Sequence, residues 1–342
     1  MEILVPAAGL STRYPNMRPK YLLYDYKSDI MVKNAVQQFI NTNHHITIGV
    51  LEQHDKKYHS VDHIKHGIPG ALVHVLEEQT KGPADTIYQM LQAFDEDIAF
   101  LVKDCDSFFE HDVIPGNYVC VSNIRNHETL RKLSSKSFVK YNDQGIITDI
   151  IEKEVVSDTF CVGGYKFDSS VRYMQAFERL SRKTDEIFVS HIIQDMMARG
   201  DTFVTNHVRD YVDVGTAEEW HKFNNKPVIF CDIDGTLIKA QSRFGKNSYY
   251  TKPTVLEENY KIIKKHHEEG SQIFFVTARE PQYEDVTRCM LRDLGFDNAV
   301  IICGVNNSAR WVINDYNEAN PYPRAIAYNP KRDKDDLKDF VR

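Results

Sequence analysis

The ten-residue stretch Val228-Ile-Phe-Cys-Asp-Ile-Asp-Gly-Thr-Leu237 constrains this chain most. Its apolar run leads directly into two carboxylates, Asp232 and Asp234, and then into Gly235. Because a strand points alternate side chains to the same side, we expect the two carboxylates to converge on one Mg2+, while the glycine permits a tight turn. This pattern is typical of sites for phosphoryl chemistry.

A carboxylate can attack phosphorus and form an aspartyl-phosphate when a metal screens the charge repulsion. We interpret Asp232 as the candidate nucleophile. Asp234 is placed to protonate the leaving oxygen and then to deprotonate the attacking water. An Asp-x-Asp-Gly turn after an ordinary strand is the alternative interpretation. The stretch resembles the first motif of the haloacid dehalogenase superfamily of phosphatases and matches that motif in full.

A second apolar run, Ile273–Arg279, places a hydroxyl at a strand end. Thr277 resembles the superfamily's second motif, in which a Thr hydrogen-bonds a phosphoryl oxygen, and Arg279 would add positive charge. A helix cap is the alternative for Thr277, because Pro281 suits the first turn of a helix. The short separation from the first motif leaves room for a minimal cap only.

The remaining motifs of that superfamily are less complete. Trp311-Val-Ile-Asn-Asp315 is interpreted as a strand ending in a carboxylate, which makes Asp315 the expected last metal ligand. Asn314 and Glu318 are weaker candidates for the same ligand position. The resemblance also implies a cation beside the phosphoryl group, and we choose Arg310 because no lysine lies close before Asp315. The alternatives are Arg288 and Arg292.

Residues 1–224 contain motifs that indicate a different phosphate chemistry. A strand runs into a loop of small residues, followed by Arg13 and by Arg18-Pro-Lys20. Small residues let backbone N–H groups close around a triphosphate, while Arg13 and Lys20 supply charge. The spacing is not that of a P-loop. It resembles the opening motif of the sugar-phosphate nucleotidylyltransferases, whose nucleotide-binding loop here is Ala8, Gly9, Leu10 and Ser11.

Further segments match that family in its order along the chain. Gln79, Gly82 and Ala84 belong to the segment that lines the base and begins the next helix. A later strand ends in carboxylates, of which Asp106 is the expected Mg2+ ligand. Asp104 is the reserve ligand and a substrate-binding candidate. Cys105 replaces the family's usual glycine between them.

Three more segments complete the resemblance. An Ile-Glu-Lys segment supplies Lys153 as the expected clamp on the acceptor phosphate, and a Gly-Gly-Tyr segment supplies Gly164 for the acceptor sugar. Asp213 is the expected second carboxylate on the metal. An exposed ion pair and a plain strand bend are the alternatives for the first two. The family's reaction is in-line attack by an acceptor phosphate oxygen on the α-phosphorus of a nucleoside triphosphate, releasing pyrophosphate.

Apolar runs alternate with helix-like stretches over the first 224 residues, and this βαβ pattern predicts an α/β fold with a mostly parallel sheet. The expected strands are 2–5, 46–51, 71–76, 98–102, 117–121 and 160–167, and the expected helices lie near 31–41, 84–94 and 187–198. Asn142-Asp-Gln-Gly145 predicts a hairpin turn. A polar link at 224–227 divides the chain into domains 1–224 and 226–342. We expect a Rossmann-like nucleotidyltransferase fold and a haloacid dehalogenase-like Rossmannoid fold with a minimal cap.

Composition excludes several classes of protein. The chain of 342 residues is 42% hydrophobic and 27% charged, which is ordinary for a soluble two-domain protein. A net charge of -7 argues against nucleic acid as a partner. The six cysteines form no C-x-x-C pair, and we find neither an apolar run of ~18 residues nor a basic leader. We therefore expect a cytoplasmic protein without membrane association.

The combined prediction is a bifunctional enzyme with one Mg2+ site per domain. Its substrates would be a nucleoside triphosphate (CTP or another), a phosphorylated sugar or polyol, and a phosphomonoester. The presence of these two activities in one chain suggests synthesis of an activated sugar or polyol for a surface glycan. The alternative is a CTP-dependent cytidylyltransferase for phosphocholine or glycerol phosphate, with a regulatory or inactive second domain. The base, the acceptor, the phosphatase substrate and the oligomeric state stay open, and a homo-oligomer is compatible with the sequence.

Overall fold

The computed structural model describes residues 1–126, 136–184, 186–241, 245–314 and 325–339. The chain forms two compact units, Met1–Asn224 and Asn225–Arg342. None of the helices in these described ranges has the length and hydrophobicity that crossing a bilayer requires.

The first unit is built on a twisted sheet. Its path of seven strands runs β10-β6-β9-β4-β1-β2-β3, and four of the six neighbouring pairs in this described path are parallel. The strands of the unit are β1 (Glu2–Pro6), β2 (His45–Leu51), β3 (Leu72–Leu76), β4 (Phe100–Lys103), β5 (Ser107–Glu110), β6 (Asn117–Asn123), β7 (Phe138–Tyr141), β8 (Ile147–Ile151), β9 (Thr159–Phe167), β10 (Phe203–His207) and β11 (Arg209–Asp213).

Helices cover both faces of this sheet. They are α1 (Met31–Ala35), α2 (Glu52–Tyr58), α3 (Ser60–Gly67), α4 (Pro83–Leu91), α5 (Ser170–Ser181), α6 (Val189–Met197) and α7 (Ala217–Asn224). The helix expected over 31–41 is shorter, because the backbone leaves α geometry at Val36 and continues as a 3-10 turn over Gln37–Phe39. The β-branched side chains in this short stretch weaken the helix.

The central strand β1 shows how the core is divided. Leu4 packs with α4, α5 and α6 on one face of the sheet, while Ile3 and Val5 pack with α1 and α3 on the other. Because β1 and β4 are parallel neighbours, the loop after β1 and the carboxylates after β4 emerge at the same edge. Ligand sites of such sheets lie at this edge.

Two antiparallel pairs add to that edge. The Asn142–Gly145 turn joins β7 and β8 as predicted, with the Asn142 side chain accepting hydrogen bonds from the backbone of Gln144 and Ile146 (both 3.0 Å). Strand β11 pairs with β5 and places Asp213 opposite Ser107. Asp213 is thereby brought beside the carboxylates that follow β4.

The second unit contains a parallel sheet of β12 (Ile229–Asp232), β13 (Ile273–Val276) and β14 (Val300–Ile302) in that order. Helices α8 (Glu257–Glu268) and α9 (Glu284–Asp293) accompany it, with 3-10 turns at Lys246–Tyr250, Pro281–Tyr283 and Leu337–Asp339. Because the strands are parallel, Asp232 and Thr277 emerge at one edge of the sheet. The predicted α/β class with mostly parallel sheets is confirmed.

The strand predicted at Trp311–Asp315 is wrong over its described part. Residues 311–314 have no regular secondary structure, and Trp311 and Ile313 are 86% and 87% exposed. An apolar run forms a strand only where a neighbouring strand pairs with its backbone and a core takes its side chains. Asp315 and Glu318 lie outside the described residues.

Candidate active sites

The first candidate site begins with Asp106 at the carboxyl end of β4. Lys20 Nζ lies 2.6 Å from Asp106 Oδ2, and Arg13 Nη2 lies 3.8 Å from the same oxygen. The backbone N–H of Lys20 donates to Ser11 Oγ (3.0 Å), so the small-residue loop and the basic segment are tied together. The structure therefore brings together four of the residues that the sequence singles out.

The charge of Asp106 follows from these neighbours. Burial opposes its ionisation, but attraction to Lys20, their hydrogen bond and the more distant Arg13 hold the pKa of Asp106 below its usual range. For Asp104 the balance is reversed, since burial and repulsion by Asp106 raise its pKa. Of the two carboxylates after β4, Asp106 therefore keeps its charge to a lower pH than Asp104 does.

Asp213 has a lysine of its own, which the sequence motifs do not mark. Lys136 Nζ forms an ion pair with Asp213 Oδ2 and donates to Tyr211 OH (2.9 Å). Attraction to Tyr211 and Asp213 overcomes burial and raises the pKa of Lys136. Asp213 Oδ1 also accepts the backbone N–H of Gly215 (3.0 Å). Lys136 lies a few residues before the predicted Asn142–Gly145 turn, and no motif in the sequence marks it.

The two carboxylates face one position in space. A Cβ atom added to Gly215 would lie 3.1 Å from Asp213 Oδ1 and 3.3 Å from Asp106 Oδ2. Among the described residues, no group of three or more His, Cys, Asp or Glu side chains is arranged to hold a metal. Two carboxylates suffice for Mg2+, because this ion usually takes one or two together with water and substrate phosphates. The residues present fit such an ion.

A cavity of about 420 Å3 extends from these carboxylates. Elsewhere in its lining the Glu152 carboxylate accepts hydrogen bonds from Ser137 Oγ and from Ser190 Oγ (2.6 Å). Lys153 lies beside it with φ +57° and its Nζ 4.0 Å from the centre of the Phe188 ring. Arg13, Asp104, Asp106, Asp213 and Lys153 all line this cavity, as does Lys136.

Some predicted binding residues do not line the cavity. Ala84 is 0% exposed in the core, so its side chain cannot reach a ligand. A Cβ on Gly164 would lie 2.8 Å from Cys120 Sγ, whereas one on Gly163 would meet the Asp104 side chain. The glycine facing the cavity is therefore Gly163. The others outside the lining are Ala8, Gly9, Leu10, Ser11, Lys20, Gln79 and Gly82.

The second candidate site is centred on Asp232 at the end of β12. Arg310 Nη2 lies 3.3 Å from Asp232 Oδ1, and Thr236 Oγ1 donates to the other oxygen (3.3 Å). Burial raises the pKa of Asp232, and Arg310 opposes that rise. Of the three arginines considered, Arg310 is the one beside Asp232, since Arg288 pairs with Glu284. Arg292 contacts Cys289.

Asp234 is held separately from Asp232. Arg279 donates to both of its oxygens, from Nε (2.7 Å) and Nη2 (3.0 Å), and is itself 0% exposed on its side chain. The same guanidinium donates to Gln241 and Thr287 and lies 4.3 Å above the Tyr249 ring. With these contacts made, Arg279 neutralises Asp234, and four of its five N–H groups are engaged by Asp234, Gln241 and Thr287.

Around this pair, Thr277 is buried and its Oγ1 accepts the backbone N–H of Arg279 (3.1 Å). Gly235 has φ +95°, and a Cβ there would lie 2.7 Å from Arg332 Cγ. The backbone N–H of Asp333 donates to the Gly235 carbonyl (2.9 Å). The sequence analysis did not single out Arg332 or Asp333, because nothing in their local pattern marks the contact.

Comparison with known families decides the identity of the first unit. A nucleotidyl transferase family model matches residues 15–227, which is more than half of the chain. The chain belongs to the nucleotidyl transferase family. A second family model, haloacid dehalogenase-like hydrolase, matches residues 229–324. The chain is thus an enzyme with a nucleotidyl transferase domain and a haloacid dehalogenase-like hydrolase domain, as the sequence predicts.

Solved structures agree on the fold of the nucleotidyl transferase domain. A nucleoside-diphosphate-sugar pyrophosphorylase from Vibrio cholerae RC9 is 18% identical with a TM-score of 0.54, and the match covers 64% of this chain and 98% of that one. An inositol-1-phosphate CTP transferase from T. maritima is 15% identical with a TM-score of 0.53, covering 64% and 90%. At these identities the similarity shows the fold alone. No curated protein matches the sequence.

Proposed function

We propose that the nucleotidyl transferase domain joins a nucleoside triphosphate to a phosphorylated sugar or polyol and releases pyrophosphate. The observation that carries this proposal is the pair Asp106 and Asp213, whose oxygens face one position at the mouth of the cavity. Mg2+ bound there would offset the charge of the triphosphate and of the attacking phosphate.

The chain's own residues then bind and orient two polyanions. Lys20 and Arg13 lie beside Asp106, where they would hold the triphosphate. Lys153 lines the cavity together with Glu152, and there it would hold the acceptor phosphate. With both anions fixed, an acceptor oxygen attacks the α-phosphorus in line, and the pyrophosphate leaves with the electron pair of the broken P–O bond.

The part of the cavity around Glu152 favours an acceptor that carries hydroxyl groups. The Glu152 carboxylate already accepts from two serine hydroxyls, and such a group suits the hydroxyls of a sugar or polyol. A choline head group would bring its positive charge close to the Lys153 ammonium over the Phe188 ring. We therefore consider phosphocholine a less favourable acceptor than a sugar or polyol phosphate.

For the hydrolase domain we propose hydrolysis of a phosphomonoester through an aspartyl-phosphate on Asp232. Asp232 ends β12 beside Arg310, so a basic side chain is in place to bind the phosphate. Asp234 is the proposed acid and base, and its pair with Arg279 must loosen for it to hold a proton. Mg2+ would be held by Asp232 and Asp234, and Asp315 is the further ligand proposed from the sequence.

A screen of nucleotides against acceptors tests the proposal. Each of the common nucleoside triphosphates is paired with sugar 1-phosphates, polyol phosphates, glycerol phosphate and phosphocholine, and pyrophosphate release is followed. We expect turnover with one nucleotide and with a sugar phosphate or a polyol phosphate other than glycerol phosphate. Turnover with phosphocholine or glycerol phosphate and CTP alone would instead establish the cytidylyltransferase alternative. The proposed place in surface glycan synthesis depends on the first result.

A further inference from the structure

The mechanism proposed for nucleotidyl transfer assigns no role to Lys136. Its ammonium group pairs with Asp213 and donates to Tyr211 OH (2.9 Å), and its side chain is 18% exposed. Lys136 also lines the cavity, as do Asp106, Asp213 and Lys153. A lysine buried this far is retained only where it is paired with a carboxylate or serves a ligand.

The backbone fixes Lys136 beside the proposed acceptor clamp. The N–H of Lys153 donates to the Lys136 carbonyl (3.1 Å), and the N–H of Cys161 donates to the carbonyl of Ser137 (2.8 Å). The backbone of Lys136 is thereby anchored next to β7, and its side chain is a four-carbon stem with several rotatable bonds. Rotation about these bonds would move the ammonium to another partner without any movement of the backbone.

Asp213 cannot serve an ammonium and a divalent cation equally well. Two positive charges on neighbouring oxygens of one carboxylate repel each other strongly in a partly buried site. A cation held by Asp106 and Asp213 would therefore compete with the Lys136 ammonium for Asp213. Because the backbone of Lys136 pairs with that of Lys153, an acceptor phosphate held by Lys153 would be a new partner for the displaced ammonium.

We propose that Lys136 is a further substrate-binding residue, which neutralises Asp213 in the free enzyme and contacts the acceptor phosphate once Asp213 has bound a divalent cation. The proposal rests on the proposed nucleotidyl transfer. It gives the acceptor phosphate two lysines, and it links acceptor binding to prior binding of the cation. No covalent step involves Lys136.

Mn2+ binding to the substrate-free full-length chain gives the first test. Lys136→Met removes the competitor for Asp213, so its affinity for Mn2+, followed by the loss of the free-ion EPR signal, should rise about tenfold or more. Lys136→Arg keeps the positive charge and should stay within about threefold of wild type. Lys140→Met, an exposed lysine on β7, is the matched control and should leave Mn2+ binding unchanged.

Steady-state kinetics give the second test. Lys136→Met should raise the KM for the acceptor phosphate about tenfold or more while changing the KM for the nucleotide little. If Lys136 were merely structural, its substitution would not raise the affinity for Mn2+ and weaken acceptor binding at the same time. The proposal is overturned if Lys136→Met leaves either quantity at the Lys140→Met value. If Lys136→Met does not fold, a large rise in Mn2+ affinity for the folded Lys136→Arg variant would overturn it.

The two proposals fail in different ways. If the wild-type enzyme releases no pyrophosphate with any pair of substrates, the proposed function fails, whatever Mn2+ binding shows. If the wild type turns over but Lys136→Met has an unchanged acceptor KM, only the role of Lys136 fails.

Discussion

At the scale of single residues, Asp106, Asp213, Asp232 and Asp234 are each paired with a lysine or an arginine, and the pairs differ in burial. Arg279 is 0% exposed beside Asp234, whereas Arg310 is 47% exposed beside Asp232. A charge left alone in a buried site is strongly destabilising, while an exposed pair contributes little. The two neighbouring aspartates should therefore respond differently to removal.

Asp234→Ala should lower the free energy of unfolding of the hydrolase domain by about 3–5 kcal/mol, because it leaves the Arg279 guanidinium buried without its carboxylate. Asp232→Ala is the matched control, and it should change stability by less than about 1 kcal/mol. Calorimetry of the full-length variants gives both values. Equal losses in the two variants would show that the Asp234–Arg279 pair does not stabilise the domain as described.

The sequence marks the acidic residues of the sites by a local pattern, whereas their basic partners Lys20 and Arg310 were named only through family resemblance. Asp106 and Asp232 each end an apolar run, and this local pattern is visible without a structure. Lys20 reaches Asp106 across 86 positions, and Arg310 reaches Asp232 across 78. Such distant pairs depend on how the strands are arranged, so Lys136 was missed and Arg279 was given a role that its contacts with Asp234 do not support.

At the scale of secondary-structure elements, His111 links three parts of the nucleotidyl transferase domain. It follows β5, its Nε2 lies 3.0 Å from Tyr118 OH on β6, and its backbone N–H donates to Gln38 Oε1 (3.0 Å) in the 3-10 turn after α1. Burial, with the nearby positive charge of Lys103, lowers the pKa of His111 to about 4. The folded protein therefore keeps this imidazole neutral.

This pKa predicts a pH dependence with a definite sign. Between about pH 6.5 and pH 4 the unfolded chain binds a proton at His111 that the folded chain does not, so stability falls as the pH falls through this window. The wild type should lose about 2–3 kcal/mol more than His111→Gln between pH 7 and pH 4.5. Urea unfolding followed by the fluorescence of the buried Trp220 measures this. The exposed His66→Gln on α3 is the control, and parallel curves for wild type and His111→Gln would contradict the prediction.

A local sequence pattern predicts a secondary-structure element when the residues within that element make its own stabilising hydrogen bonds. The β7–β8 hairpin was predicted because the Asn142 side chain and Gly145 build the turn from within. Helix α5 was missed, although Ser169 accepts the Arg172 N–H as an N-cap (3.1 Å) and would have marked its start. The strand expected at Trp311 was wrong, because strand pairing depends on a partner that the run itself does not contain.

At the scale of the whole molecule, the chain has two units, each with its own core and its own candidate site. Apolar clusters on both faces of the first sheet stabilise Met1–Asn224, and a separate cluster around Ile233 and Phe275 stabilises Asn225–Arg342. The residues proposed for nucleotidyl transfer all lie in the first unit, and those proposed for hydrolysis all lie in the second. The central claim is that these are two distinct phosphoryl sites.

The most direct test measures pyrophosphate release and orthophosphate release in parallel on the wild type, Lys20→Ala and Asp232→Asn. Lys20→Ala should lower pyrophosphate release by about 10²–10³-fold, because an ammonium group aimed at the phosphates is lost, and leave orthophosphate release from the phosphomonoester unchanged. Asp232→Asn should abolish orthophosphate release and leave pyrophosphate release unchanged. Loss of both activities in either variant, or survival of an activity in the variant that removes its own site, would contradict the account.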